Sequence, residues 1–204
     1  MDNELYQLLL SLRLGDGCFV NQRKLSKPTY SVMTNTINQE YVNYKERILN
    51  SNNILTKHYT SHSGYGSSKV QYGIRTRVEP EITIVGRMEV EDIIKDLDLF
   101  GMCLWYLDDG SLHKTKHFMN LYCNSLTYEQ TELVIDRLYE WFPVKRCTHL
   151  YDSKKDGRKF GYVYIPKTVA AQFNEHVRKL LVDNHIDSLL YKTIPPSQTI
   201  ESIV

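Results

Sequence analysis

Two Asp-Gly pairs close matching stretches of the 204-residue chain. LLSLRLGDG, at 9–17, ends on Asp16-Gly17, and MCLWYLDDG, at 102–110, ends on Asp109-Gly110. Each follows an apolar run with helical character, so each carboxylate falls at a helix C-terminus. The macrodipole places about half a negative charge there, and an anion costs roughly 0.3–1 kcal/mol. A chain that does this twice points to a compensating cation. If the two helices lie side by side, two carboxylates and two negative helix ends converge. Such a site either raises a carboxyl pKa or holds a divalent cation. Hard oxygen donors favour Mg²⁺, Mn²⁺ or Ca²⁺ over zinc. The plainer alternative is that both pairs merely end helices, with Gly17 and Gly110 as left-handed caps. Duplication at the head of two matching repeats argues against it.

The elements that must position these acids repeat as well. The two aspartates stand 93 residues apart, and a second echo follows each motif: NTINQE at 35–40 and NSLTYE at 124–129. There a strand ends and a helix begins. Asn38 and Thr127 are good N-cap types, and Thr127 with Gln130 has capping-box spacing. The periodicity predicts helices at about 4–15, 39–50 and 89–96 in the first half, with strands near 18–23, 29–35, 54–61 and 69–77. In the second half it predicts helices at about 99–108, 128–141 and 167–182, a short one near 186–191, and strands near 110–114, 117–123, 145–151 and 159–165. The order is αββαββα, twice, with repeats at 1–97 and 98–204 and turn-rich segments (SGYGSS and DSKKDG) in the same place in each. Ser11 and Gly15, four apart, and Gly101 and Cys103 offer small surfaces for close helix contact.

Composition is ordinary for a globular chain: 42% apolar, 24% charged, formal net charge +1. That excludes wholesale disorder, collagen-like sequence and linker protein. No run of eighteen apolar residues occurs, so no transmembrane helix is expected, and the acidic N-terminus does not read as a signal peptide. The four cysteines, Cys18, Cys103, Cys123 and Cys147, form no C-x-x-C pair, so free thiols in a reducing intracellular compartment are expected. His113 and His117 fall in a predicted hairpin and read as turn residues. Basic residues cluster despite the small net charge, with Lys69, Arg75 and Arg77 in one stretch and Lys145, Arg146, Lys154, Lys155, Arg158 and Lys159 in another. Tyrosines alternate with them. Strands of this kind either hold phosphates and touch base edges or simply present a polar outer face.

These residues resemble the LAGLIDADG homing endonuclease family. LLSLRLGDG aligns with its nine-letter motif, placing Asp16 at the acidic eighth position. MCLWYLDDG resembles the second-repeat variant in which Trp and a double Asp precede Gly, and its eighth position is Asp109. Spacing and element order match the single-chain, two-repeat branch over essentially the whole chain. The resemblance implies an α+β fold of two pseudo-symmetric αββαββα repeats, with antiparallel saddle-shaped sheets and the motif helices packed at the interface. It implies a metal-dependent DNA endonuclease in which Asp16 and Asp109 hold Mg²⁺, with Mn²⁺ able to substitute. Gly15 and Asp108, one residue before each acid, complete the implied metal-binding set. Each half would cut one strand across the minor groove, leaving short 3′ overhangs. The tail SLLYKTIPPSQTIES points to Lys192 as a basic active-site residue. Arg87, in IVGRMEVEDI, is the matching basic residue of the first half, where the family usually has Lys. The sheets would lie along the major groove of a long asymmetric duplex site as a monomer. Base-reading candidates are Asn21, Arg23, Lys24, Thr34, Gln71, Arg75, Arg77, His113, Lys116, Arg158 and Tyr162. Two departures stand out: Leu104 and Asp108 occupy motif positions that are usually small, and Arg13 sits where an apolar residue is usual, at a helix edge facing solvent.

Other functions compete on the same residues. An intron RNA-splicing maturase would use the same fold with its acids intact. A non-cleaving DNA-binding regulator would not need both acids, yet both are present. A metal-dependent hydrolase of a small substrate lacks a His/Asp cluster and a Gly-rich phosphate loop.

Overall fold

The protein is described by a computed structural model over residues 1–21, 28–62, 69–143, 147–153 and 159–196. Its first half runs α1 (Asn3–Leu14), β1 (Cys18–Asn21), β2 (Tyr30–Thr36), α2 (Gln39–Ser51), β3 (Thr56–Ser61), β4 (Gln71–Thr76), α3 (Pro80–Gly86) and α4 (Val90–Asp96). The second runs α5 (Leu99–Asp109), β5 (Gly110–Leu112), β6 (Met119–Tyr122), α6 (Tyr128–Trp141), β7 (Thr148–Ser153), β8 (Lys159–Ile165), α7 (Lys167–Asp183) and a 3₁₀ turn (Asp187–Lys192). Each half forms a four-stranded antiparallel sheet, in the order β1-β2-β4-β3 and β5-β6-β8-β7. The matching strand order is the structural counterpart of the sequence repeat.

One element was not expected. Pro80–Gly86 is a helix, so the first half reads αββαββαα. Its sequence, PEITIVG, is short and β-branched, which masks helical periodicity. Pro80 at its first turn supplies the start, since proline costs nothing where the N–H has no partner anyway. Of the two N-caps read from the sequence, Thr127 makes its side-chain bond and Asn38 does not, while Asp2 and Asp98 are further caps. Asp2 accepts from the Leu5 N–H at 2.8 Å and Asp98 from the Gly101 N–H at 2.9 Å. Thr127 and Gln130 close a reciprocal capping box, while Asn38 caps α2 without a side-chain bond.

α1 and α5 pack along each other at the centre of one apolar cluster that runs through both halves. Leu8, Leu9, Leu10 and Leu12 of α1 and Met102, Leu104 and Trp105 of α5 are fully buried. A buried leucine contributes roughly 1.5–3 kcal/mol, so this seam holds a large share of the core. The small residues act as expected. A Cβ at Gly101 would stand 2.4 Å from Oε1 of Gln7. That side chain clamps the link between α4 and α5, donating to the Asp96 carbonyl at 2.9 Å and accepting from the Asp98 N–H at 2.8 Å. Arg13 does not simply face water: its guanidinium lies over the Phe19 ring, 5.8 Å from the centroid. All four cysteines are free thiols. His113 and His117 lie in the expected hairpin turn, where the His117 N–H donates to the His113 carbonyl. Among the described residues no helix is long and apolar enough to cross a membrane.

Candidate active site

The C-terminal ends of α1 and α5 meet at Gly15. A Cβ there would lie 3.1 Å from Oδ2 of Asp109, 3.1 Å from Cδ1 of Trp105 and 3.2 Å from Cβ of Asp108. Even an alanine there would require these side chains, the Asp109 carboxylate among them, to give by a few tenths of an ångström. Neither Asp-Gly glycine is a left-handed cap. Gly110 is extended (φ −92°), and it must lack a side chain because a Cβ would sit 2.4 Å from the Tyr106 carbonyl oxygen. A Cβ at Gly17 would meet the Leu12 carbonyl oxygen at 2.3 Å. Both glycines allow close approach of the chain to a helix end rather than an unusual φ.

The two acids differ in setting. Asp16 is exposed, just beyond α1. Asp109 is half-buried, and its carboxyl is pushed up to about 7 by burial first, then by the charges of Asp16 and Asp108. The Trp105 indole and the Lys192 ammonium pull the other way. Desolvation and like charge are what disfavour a carboxylate, and a cation relieves both. A cleft of about 200 Å³ opens at this point, lined by Leu14, Gly15, Asp109, Tyr122, Asn124 and Ser125. Asn124 and Ser125 open the second echo noted in the sequence, so that echo borders the acids as well as starting a helix.

Lys192 arrives from the 3₁₀ turn. Its Nζ donates to the Leu107 carbonyl at 2.7 Å and the Asp108 carbonyl at 3.2 Å, which lie at the C-terminal end of α5. A cation there offsets the helix dipole. Burial lowers its pKa, and the charges of Asp108, Asp109 and Asp16 oppose that. The segment is anchored on both sides of the lysine. The Tyr106 hydroxyl donates to the Lys192 carbonyl at 2.9 Å, and buried Asn174 of α7 exchanges two bonds with the Ile194 backbone, at 2.6 and 3.2 Å.

Two expected site residues are corrected. The Asp108 carboxylate is not free to bind metal: it forms an ion pair of 2.6 Å with Lys45, with side-chain exposures of 1% and 0%. Arg87 caps α3, and its guanidinium donates to the Pro28 carbonyl, the Nε–H at 2.9 Å. Lys45, on α2, is the basic residue that the first half brings against the α5 motif. It also lies over the Tyr41 ring, 4.3 Å from the centroid, while the Tyr41 hydroxyl donates to the Leu104 carbonyl at 3.0 Å. The signal was present: Lys45 follows Tyr41 by four and precedes Ile48 and Leu49 by three and four, on the apolar face of a helix. A lysine there needs a buried acid.

Among the described residues no three His, Cys, Asp or Glu side chains group into a full metal-ligand set. The donors present fit a hard divalent cation sharing its coordination with substrate and water: two aspartates at converging helix ends, one of them held up to about 7 by burial and by the neighbouring carboxylates.

On each sheet one face packs under helices and the other is open. The open face of the first carries Met33 and Asn35 of β2, Gln71 and Arg75 of β4, and Lys57 of β3, with Met33, Arg75 and Lys57 in register. Arg77 continues it, and Lys57, Arg75 and Arg77 line a groove of about 650 Å³. Asn35 Nδ2 donates to Gln71 Oε1 at 2.7 Å. The base-reading candidates thus divide. Gln71, Arg75 and Arg77 lie on the open face, as do Tyr162 of β8 and His113 beyond β5 in the second sheet, with Lys116 exposed in the hairpin turn. Thr34 is buried under α2, its hydroxyl 3.4 Å from Lys45 Nζ. Asn21, paired with Tyr30, alternates onto the helix-covered side. Both are corrected by strand register, because a shift of one residue exchanges the faces. Arg23, Lys24 and Arg158 lie outside the described residues.

A family model described as the LAGLIDADG DNA endonuclease family matches residues 7–173. Three solved structures show the same fold at low identity. The homing endonuclease I-WcaI bound to its DNA recognition sequence has a TM-score of 0.70 and 17% identity, over 95% of this chain and 87% of that one. I-DmoI in complex with DNA and Mn has a TM-score of 0.59 and 17% identity, over 85% and 96%. The N-terminal LAGLIDADG domain of DUF199/WhiA has a TM-score of 0.54 and 11% identity, over 98% and 87%. No curated protein sequence matches the chain significantly.

Proposed function

Because the chain belongs to the LAGLIDADG DNA endonuclease family, we propose that it is a site-specific double-stranded DNA endonuclease acting as a monomer on a long asymmetric site. Its repeats, 1–97 and 98–204, each contribute one acid. The observation that carries this reading is the meeting of α1 and α5 at Gly15: Asp109 lines the cleft there, and Asp16 and Lys192 lie near enough for their charges to act on it.

Asp16 and Asp109 would hold a divalent cation, Mg²⁺ or Mn²⁺. Bound there, the cation supplies a lowered pKa for attacking water and charge stabilisation for the leaving 3′ oxygen. The chain's own residues do the rest. Gly15 keeps the two helix ends in contact. Lys45 holds the Asp108 carboxylate in a buried ion pair, so that third acid is engaged by the protein. Lys192 uses two of its three N–H bonds on α5 carbonyls and keeps the third for a phosphate oxygen. Its lowered pKa suits it to pass a proton, which the Arg87 guanidinium would not do even if it were near. The open sheet faces lie along the major groove, where Arg75 and Arg77 read guanine and Gln71 reads adenine.

The test is cleavage of a plasmid library carrying randomised inserts, with the purified chain and Mg²⁺. Recovery of one family of asymmetric sequences cut in both strands is expected. A library left intact in Mg²⁺ and Mn²⁺, with sites bound but uncut, would turn the reading to a DNA-binding protein.

A further inference from the structure

Among the described residues, the open faces of the two sheets carry different chemistry. The first presents Lys57, Arg75 and Arg77 with the amides of Asn35 and Gln71. At the matching level of the second sheet stand Phe118, Tyr122, Tyr162 and Tyr164, with Asn120 between them on β6. The rings form two contacts across the strands: Phe118 with Tyr164 at 5.0 Å between centroids, and Tyr122 with Tyr162 at 6.0 Å. His113 extends the first at 4.6 Å from Phe118. Asn120 pairs in register with Tyr164, and its Oδ1, buried among its neighbours, has no partner within the protein.

We propose, on the basis of the endonuclease reading above, that the second sheet reads an A·T-rich half-site through thymine methyls and one adenine, while the first reads guanines. In the major groove the thymine C5-methyl is the apolar feature of a base edge, guanine offers N7 and O6 to a cation, and adenine offers N7 and N6 to an amide. Rings packed into an apolar ridge match methyls, and Asn120 in their midst matches adenine. Lysine and arginine aligned across β3 and β4 match guanine.

Sheet aromatics also serve elsewhere as stacking platforms for unpaired bases, RNA above all. The geometry here favours methyl contact. Stacking needs open ring faces, whereas these rings tilt against one another at 39–50° and are largely half-buried. They present edges and partial faces, which suit a groove floor of methyl groups.

The experiment selects bound duplexes from a random-sequence pool without divalent metal, using the full chain. Arg75→Ala then identifies the first sheet's half-site as the one whose preference it relaxes. Thymines in the other half-site are next replaced by uracil, which removes only the methyl. A buried methyl corresponds to roughly 0.8 kcal/mol, or about fourfold in affinity, so two replacements should weaken binding by about fifteenfold. The same replacement in the Arg75 half-site should leave affinity within twofold. Tyr164→Ala should abolish the thymine/uracil difference, and the unmutated comparison stands even if that variant folds poorly. Uracil tolerated in both halves, or a thymine preference in the Arg75 half, would overturn the inference while leaving the endonuclease reading intact. Tighter binding of single-stranded RNA than of any duplex would overturn it in favour of a stacking platform. Failure to retain any duplex would refute the endonuclease reading and the inference together.

Discussion

Lys45→Met should destabilise the protein far more than a lysine replacement usually does. Lys45 and Asp108 meet at 2.6 Å with side-chain exposures of 0% and 1%. At an effective dielectric of about 20, that separation corresponds to roughly 6 kcal/mol of gross attraction, most of it offset by the cost of desolvating both charges. Removing one partner leaves that cost uncompensated, and breaking a buried pair costs about 3–5 kcal/mol. Asp108 is poorly placed to absorb the loss, since its Oδ2 already lacks a hydrogen-bond partner. For a chain of this size each kcal/mol moves Tm by about 2–4 °C, so the variant should melt about 6–20 °C lower. The Lys45→Met, Asp108→Asn double variant restores neutrality and should recover more than half of the loss. The assay is a double-mutant cycle by urea unfolding at pH 7.5, free of divalent metal. A loss under 1 kcal/mol for Lys45→Met, or strict additivity of the two changes, would refute the buried pair.

Asp109 makes metal-free stability depend on pH. Its folded value, about 7, stands above the ordinary 3.8, so the folded state binds the extra proton and stability falls as pH rises from about 4 to about 7. The full penalty, ~4 kcal/mol, is present above 7 and absent from Asp109→Asn, and urea titrations at pH 5 and 8 measure both. Lys192→Ala should slow single-turnover cleavage by about 10²-fold at saturating enzyme while Kd changes by less than threefold, since one phosphate contact is a small part of affinity. An unchanged rate would remove Lys192 from the active site. Duplex affinity should fall by at least ~10³-fold between 50 and 200 mM salt despite a net charge of +1, because the basic open face displaces counterions. A flat salt profile would mean that face does not meet phosphate.

Much of this was legible in the chain. The duplicated Asp-Gly motifs located α1, α5 and the two acids, because a carboxylate at a helix end is unusual enough to carry meaning twice. The order of elements along the chain followed from the repeat, α3 excepted. The readings that failed did so for specific reasons. Thr34 and Asn21 were assigned to the wrong sheet face, since strand alternation fixes which residues share a face but not which face meets the helices. Asp108 entered the metal set through the family resemblance alone, and the partner that engages it, Lys45, lies 63 residues earlier in the other repeat. Arg87 was chosen by proximity in sequence, before the unexpected helix α3 placed it against Pro28. Gly17 and Gly110, left-handed caps in the plainer alternative, instead lack room for a Cβ against a carbonyl at a helix end.

The central claim is that the two helix-end aspartates act together on one duplex, and it is tested most directly by strand cleavage with Asp16→Asn and Asp109→Asn. Both changes keep side-chain size and leave the Gly15 contact in place. On a selected site in Mg²⁺, each variant should lose double-strand cleavage while binding the duplex within about threefold of the unmutated chain, because two carboxylates add nothing to phosphate affinity. Normal double-strand cleavage by either variant would contradict the account.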